Sequence, residues 1–507
     1  MVSAFEQGVA AARIRNIPVA EACFRRALAE NPADALARAW LGQAQCAKGE
    51  VRDGAGNLLT AGRAMIAAPP QPRTAAALQQ IIGQLQQWGA LAEAVALLDA
   101  LVARNPNDAG ARSARATTYA MLNQPAEALA DARHARSLIQ PTAASEVFLA
   151  SLEADAGLSA EAEARLRAVL AADPAPRETY RALKELARLL DRRGAAAEAF
   201  DCLEQAARIW PEVPEYAALD RVLLPRRIAE NQAQFTPELI SRWAGHDFGD
   251  RAAPTFVFGF FRSGTTLTQE VLASHKSLFV SDEVGLISAM GANLARMAPG
   301  HPTAATRLAS LGGDGIASLR ESYWRMAQGR HGEAALAGRF VDKFTMNVID
   351  AGLIATVFPD ARFVFMVRDP RDVCLSAFQQ LMVPTAATAH LLDWESTARF
   401  YAQVTEWWRH LRPMLRLPVI ELRYEDAVAD FTGTYTRLLD FIGVGWDDAV
   451  SRFHERAAGK FISTPSRGQV ARPLYSSSVG RWRRHPAPFA RIAAYLAPSI
   501  SAYGYPG

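Results

Sequence analysis

The chain has 507 residues, half of them hydrophobic and 21% charged, with a formal net charge of +3. That length accommodates two or more domains with cores of their own, and the composition is that of an ordinary folded protein. So small a net charge supplies no field to recruit nucleic acid or an anionic membrane, and neither partner is expected. The frequent alanine and arginine fit a GC-rich bacterial genome. Cys23, Cys46, Cys202 and Cys374 lie far apart with no C-x-x-C, as expected of reduced thiols. The first residues, MVSAFEQGVAAARIRN, lack the unbroken apolar core of a signal peptide. No run approaches the ~20 apolar residues of a membrane span, so a cytoplasmic location is expected. The nine histidines are scattered, with no H-E-x-x-H and no Cys/His cluster, and no bound metal is expected.

Residues 1–212 are alanine-rich and helical in period. Ala-Glu-Ala recurs at Ala20, Ala92, Ala126, Ala160 and Ala197, each time followed by a helix of about a dozen residues that ends near a proline. Those prolines, Pro32, Pro69, Pro106, Pro141, Pro174 and Pro211, are 37, 37, 35, 33 and 37 residues apart. The period fits a tetratricopeptide array of about six repeats, the one around Leu58 to Ala68 being degenerate. A helix pair cannot bury its apolar stripe alone, so stacked pairs share a core, and alanine permits close approach. Such arrays commonly offer a groove to peptides; scaffolding or dimerisation is the other reading. Residues 213–252 are expected to be one or two connecting helices, with a polar boundary over Gly245 to Ala253.

Pro254 to His275, PTFVFGFFRSGTTLTQEVLASH, predicts a buried strand over Thr255–Phe258 and a glycine-flanked loop from Gly259 to Gly264. Thr265-Thr266 then opens a helix with Leu267, Val271 and Leu272 on one face. Strand, glycine loop and helix N-terminus gather amides and a helix dipole on one anion. Gly259-x-x-x-x-Gly264-Thr265-Thr266 is a P-loop pattern whose lysine is replaced by Thr265, leaving Arg262 as its only cation. This argues against ordinary ATP hydrolysis and for a loop that grips a different phosphate-like group. A chance strand-turn-helix is the alternative.

Phe279 and Val280 suggest a second strand ending at Asp282 and Glu283, where carboxylates of an α/β fold meet ligands. A solvated acidic turn, or Asp282 as a helix cap with Glu283 as bystander, is the alternative. Residues 285–340 read as helices interrupted near Leu311 to Gly315. Lys343 follows a short apolar run, and a helix is expected over about 348–357. The segment RFVFMV, 362–367, is apolar enough for a parallel strand buried on both faces. It stops at Arg368, with Asp369 able to cap and Pro370 to start the next helix. Arg368 and Ser376, eight residues on, offer a guanidinium and a hydroxyl to a phosphate dianion. Otherwise Arg368 pairs with Asp369 or Asp372 and Ser376 only packs. Phe400, Tyr401, Val404, Trp407 and Trp408 fall at helical spacing and are expected in the core. A strand over Val419–Leu422 leads to Tyr424, with Glu425 and Asp426 suited to a helix start. The tail carries Arg467, Arg472, Arg481, Arg483 and Arg484, by itself a solvated basic segment or a nucleic-acid patch.

FRSGTTL, residues 261–267, closely resembles the 5'-phosphosulfate loop of sulfotransferases, usually PRSGTTL; Phe261 replaces a proline, which bears on stiffness rather than contacts. The Arg368 and Ser376 pair resembles the 3'-phosphate motif of the same family. Over roughly 253–485 the chain thus resembles a sulfotransferase, similar to protein-tyrosine sulfotransferases, behind a tetratricopeptide array. The implied fold class is an all-α repeat solenoid over 1–212 followed by an α/β P-loop-like domain with a parallel sheet over 253–507. The implied donor is 3'-phosphoadenosine 5'-phosphosulfate (PAPS), its product adenosine 3',5'-bisphosphate, with no metal. Donor-binding roles fall on Arg262, Ser263, Gly264, Thr265, Thr266, Leu267, Arg368 and Ser376. Tyr424 is implied near the adenine and 3'-phosphate. Gln469-Val470-x-x-Pro473 and Arg481 resemble the segment that closes over the donor, where a cation meets the 5'-phosphate. In tyrosine-directed members the glutamate 21 residues after the loop arginine is the general base, which is Glu283 here. Arg262 and Lys343 complete the implied catalytic set by stabilising charge on the leaving phosphate. A tyrosine of a protein or peptide held by the repeat groove, a glycan hydroxyl and a small alcohol are the candidate acceptors. The rival readings are a magnesium-dependent P-loop nucleotide kinase or ATPase, and a non-catalytic repeat scaffold with a nucleotide-binding α/β domain.

Overall fold

The computed structural model describes residues 2–69, 72–249, 251–333, 338–458, 470, 472 and 474–506. Up to Ile209 it is a succession of paired helices: α1 (Ala4–Arg13) with α2 (Ile17–Glu30), α3 (Ala35–Lys48) with α4 (Val51–Ala67), and α5 (Pro72–Gln87) with α6 (Leu91–Arg104). Then come α7 (Ala109–Met121) with α8 (Pro125–Leu138), α9 (Ala143–Asp155) with α10 (Ser159–Ala171), and α11 (Pro176–Arg192) with α12 (Ala196–Ile209). Each Ala-Glu-Ala sits in the second helix of a pair, and each proline of the series follows that helix within three residues, where it cannot continue the ladder. Ala20, Ala37, Ala61, Ala94 and Ala116 are wholly buried, so small side chains do face the neighbouring helices.

Contacts divide the chain into two units. One runs to Arg165 and includes Gly329–His331; the other holds Leu166–Gln328 and the described residues from Gly332 onward, apart from those in the first. The division thus falls earlier than the end of the last helix pair. The reason lies in α11 and α12: Phe200 packs 5.3 Å from Trp394 and 6.0 Å from Phe378, so this pair shares the core of the α/β unit. The connector is more broken than one or two helices, comprising a 3-10 turn at Trp210–Glu212, α13 (Pro214–Ala217), α14 (Leu223–Gln234) and α15 (Pro237–Ser241).

The second unit is built on five parallel strands in the order β2-β3-β1-β4-β5: β1 Thr255–Gly259, β2 Leu278–Asp282, β3 Arg339–Lys343, β4 Arg362–Val367 and β5 Val419–Arg423. Phe256 and Phe258 stand in register with Phe363 and Phe365, so one face is aromatic. Phe365 stacks on Trp408 at 4.4 Å, and Phe256 meets Phe358 at 5.8 Å. Trp408 belongs to α22 (Trp394–Leu411), whose Phe400, Tyr401, Val404 and Trp407 are also buried, as its spacing predicted. The opposite face, with Val257, Val364 and Met366, lies under α16 (Thr265–Ala273); the Thr268 hydroxyl donates to Met366 Sδ at 3.3 Å. Between β2 and β3 run α17 (Leu286–Met297), α18 (Ala304–Ser310) and α19 (Gly313–His331). The helix expected over 348–357 begins only at Ala351 as α20 (Ala351–Val357), because Thr345–Val348 form a 3-10 turn. After β4 comes α21 (Pro370–Gln379), and after β5 come α23 (Tyr424–Ala429) and α24 (Phe431–Ile442). The chain leaves β1 toward β2 and leaves β4 toward β5, so the adjacent loops after β1 and β4 diverge to opposite sides of the sheet. A crevice of this kind at the carboxyl edge is where open α/β sheets bind ligands.

Candidate active site

The loop after β1 is shaped by two glycines that tolerate no side chain. A Cβ on Gly259 would stand 2.7 Å from Ser263 Oγ and 2.9 Å from the Met366 carbonyl; one on Gly264, at φ +104°, would stand 2.9 Å from the Tyr424 ring. Ser263 closes the loop by donating Oγ to the Phe260 carbonyl at 2.7 Å. Phe261, in the proline position, lies edge-on to Phe260, which is itself anchored edge-on to Tyr401 at 5.1 Å. Packing of Phe260 thus supplies rigidity that a proline ring would otherwise give. Helix α16 starts at Gly264 without a side-chain cap, and Thr265, Thr266 and Leu267 are all buried in its first turn. Amides at such a start are directed at whatever fills the crevice.

Arg262 and Glu283 have φ of +65° and +47°, two of five non-glycine residues with positive φ among those described. Such conformations cost energy and persist where the surroundings impose them, characteristically at functional sites. Arg262 is buried, and its Nε donates to Ser376 Oγ at 2.9 Å. Burial, and after it the nearby Arg368 charge, push the Arg262 guanidinium down to about 10. Arg368 Nη1 donates to the Arg262 carbonyl at 3.0 Å and Nη2 to the Ser478 carbonyl at 2.6 Å, while its Nε is buried with no partner. The Tyr424 ring lies 4.6 Å below the Arg368 guanidinium, and the Tyr424 hydroxyl meets Ser478 Oγ at 2.7 Å. Neither neighbouring aspartate neutralises Arg368 in an ion pair: Asp369 caps α21 and pairs with Arg371 at 2.9 Å, and Asp372 accepts from the Gly480 and Trp482 amides.

Across the crevice, Lys343 at the end of β3 is fully buried, and its Nζ lies 2.6 Å from Glu283 Oε1. Thr345 Oγ1 donates to the same oxygen at 3.1 Å and meets Thr265 Oγ1 at 3.0 Å. A polar chain therefore runs from the helix start through Thr345 to Glu283, whose side chain keeps 27% of its surface exposed. Lys343 engages Glu283 directly. Arg481 Nη2 bonds Gln379 Oε1 at 2.9 Å and pairs with Asp191, and its charge contributes to the field on Arg262. Gln469 and Pro473 of the expected closing segment, and Arg467, lie outside the described residues. Thr345, Ser478 and Asp191 carry no motif and were not legible in the sequence; only their contacts single them out.

With that geometry in place, residues 254–448 match the family model described as Sulfotransferase family. The chain carries a sulfotransferase-family domain. Protein-tyrosine sulfotransferase 1 of Danio rerio is 27% identical over 267 residues, 49% of this chain and 71% of that protein. An uncharacterized protein of Aquifex aeolicus is 26% identical over 309 residues; the match spans only 39% of its length and 59% of this chain. Among solved structures, the sulfotransferase domain of a Synechococcus olefin synthase covers 50% of this chain at 20% identity and a TM-score of 0.35. A tetratricopeptide repeat protein of Parabacteroides merdae covers 41% at 18% identity and a TM-score of 0.33. Within the sulfotransferase domain lie Arg262, Glu283, Lys343, Arg368, Ser376 and Tyr424, whereas Arg481 follows its matched limit. Among the described residues no helix is long and apolar enough to cross a membrane.

Proposed function

We propose that this chain moves a sulfuryl group from PAPS to a hydroxyl acceptor. The observation that carries the reading is the contact of Arg368 with the Arg262 loop, which sets two buried guanidiniums and the Ser376 hydroxyl side by side at the switch point of the sheet. Two such cations held together in a buried crevice suit a polyanion. A nucleotide with phosphates at both the 3' and 5' positions offers an anion to each loop, and the unpartnered Nε of Arg368 is a donor for one of them.

The donor supplies the sulfuryl group as a phosphosulfate anhydride; the acceptor oxygen forms the new bond to sulfur as the bond to the 5'-phosphate oxygen breaks. Charge moves onto that phosphate, where amides from Ser263 to Thr266 and the Arg262 guanidinium favour it, so positioning and electrostatics carry the step. Glu283 takes the proton of the acceptor hydroxyl. Lys343 and Thr345 both bind Oε1, which aims the carboxylate and leaves Oε2 for that proton. Arg368 and Ser376 hold the 3'-phosphate, the group that separates this donor from ATP.

Likeness to protein-tyrosine sulfotransferases and the helical repeats together favour a tyrosine of a protein or peptide as acceptor. Thermal shift with adenosine 3',5'-bisphosphate against ATP with magnesium tests the donor: stabilisation by the bisphosphate is expected, and a response to ATP alone would refute it. Mass spectrometry of cell extract incubated with enzyme and PAPS reads the acceptor as a gain of one SO3.

A further inference from the structure

Helix α11 is the first helix of the last pair, yet it carries two charged residues that are almost wholly buried, Lys184 at 1% and Asp191 at 2% exposure. Seven residues apart, they lie two turns along one side of the helix. Lys184 reaches α21 and Asp191 reaches the turn at Arg481–Arg484. Lys184 Nζ donates to the Phe378 carbonyl at the end of α21, the helix that carries Ser376. Asp191 accepts from Arg481 and stands 3.4 Å from Arg484 and 3.3 Å from His485. From the opposite side Asp372, on α21, holds the amides of Gly480 and Trp482, which flank Arg481 in the chain. Arg481 is thus fixed at its backbone by one carboxylate and at its guanidinium by another. The same Nη2 meets Gln379, three residues beyond Ser376.

We propose that Asp191 is a positioning residue of the donor site, holding the Arg481 guanidinium against Gln379 so that it faces a phosphate of the bound nucleotide. The inference rests on the PAPS reading above. Two carboxylates, Asp191 and Asp372, serve a corner that also holds Arg262, Arg368, Arg481 and Arg484, so the corner stays positive after Asp191 has made its contacts. Fixing a flexible, fork-shaped cation in advance lowers the ordering cost of binding. The last helix pair is then part of the donor pocket rather than an appendage to it.

Calorimetry of the full chain with adenosine 3',5'-bisphosphate tests this, using Asp191→Asn, Arg481→Ala and the double variant. Asp191→Asn is expected to weaken binding about tenfold, the scale found when a partner that orients a binding group is lost. In the Arg481→Ala background the same change should add nothing, because an orienting residue has nothing left to orient. A penalty that persists there marks general loosening of the fold and overturns the proposal, as does unchanged affinity in Asp191→Asn. Arg481→Lys covers the case in which Asp191→Asn does not fold: it keeps the charge and loses the fork, so it should bind as weakly as Arg481→Ala, and wild-type affinity would overturn the proposal. Wild-type protein that binds no bisphosphate instead overturns the PAPS reading, and the proposal with it.

Discussion

Arg368 Nη1 donates to the main-chain carbonyl of Arg262 at 3.0 Å, so the loop after β1 and the turn after β4 meet through one hydrogen bond. These segments are 106 residues apart in the chain, and each brings one arginine. The contact makes Arg368 both a candidate phosphate ligand and a brace for the loop.

Replacing Arg368 by alanine should therefore lower affinity for adenosine 3',5'-bisphosphate by on the order of 2–5 kcal/mol, the range for removing one partner of a desolvated charge pair. Lysine should not restore it, since an ammonium cannot reach both the Arg262 and Ser478 carbonyls in a fork. Calorimetry reads both variants, and unchanged affinity in Arg368→Ala would refute the phosphate role.

Arg262→Ala and Glu283→Ala should both abolish transfer but separate in binding. Loss of a general base costs about a hundredfold or more in rate. Glu283→Ala should keep bisphosphate affinity near wild type, because the proposed base acts on the acceptor hydroxyl and not on the donor. Arg262→Ala should weaken it. Full turnover by purified Glu283→Ala would remove the base assignment.

Gly264→Ala should cost about 1–3 kcal/mol in stability, since alanine at φ +104° is strained and its methyl meets the Tyr424 ring at 2.9 Å. Because Tyr424 stacks on Arg368, donor affinity should fall as well. Thermal melts with and without bisphosphate separate the two effects.

Asp342 gives a pH-dependent test away from the site. Burial raises its carboxyl to about 7, against the pull of a 2.8 Å hydrogen bond from Tyr323. A carboxyl raised in the folded state contributes most below its unfolded value near 3.8, and that contribution is lost as pH rises through about 7. Asp342→Asn should thus flatten the dependence of melting temperature on pH between 5 and 8, and gain on the order of a few kcal/mol at pH 8. A melting curve as steep in the variant as in the parent would contradict it.

Much of this molecule is readable in one dimension because its signals are local. The proline series falls just past the second helix of each pair, where a residue without an amide donor cannot extend the ladder. RFVFMV reads as a strand covered on both faces because its run of apolar residues leaves no face for water. The loop after β1 is equally local, as strand, glycine turn and helix start are contiguous. Thr345 was not readable: a threonine in a turn has many uses, and this one matters only because β3 lies beside β1 and brings it to Thr265 and Glu283.

The amino-acid order by itself determined the helical repeat and the strand that leads into the loop at Arg262, both properties of near neighbours in the chain, whereas Glu283 was singled out only through the resemblance to a known family. Tertiary structure alone decided that Arg368 reaches the Arg262 loop, that Lys343 grips Glu283, and that the last helix pair contributes Asp191 to Arg481. Those pairings depend on strand order and helix packing, which bring together residues from 60 to 290 positions apart. No period or motif encodes such distances, because they are set by which apolar faces bury one another.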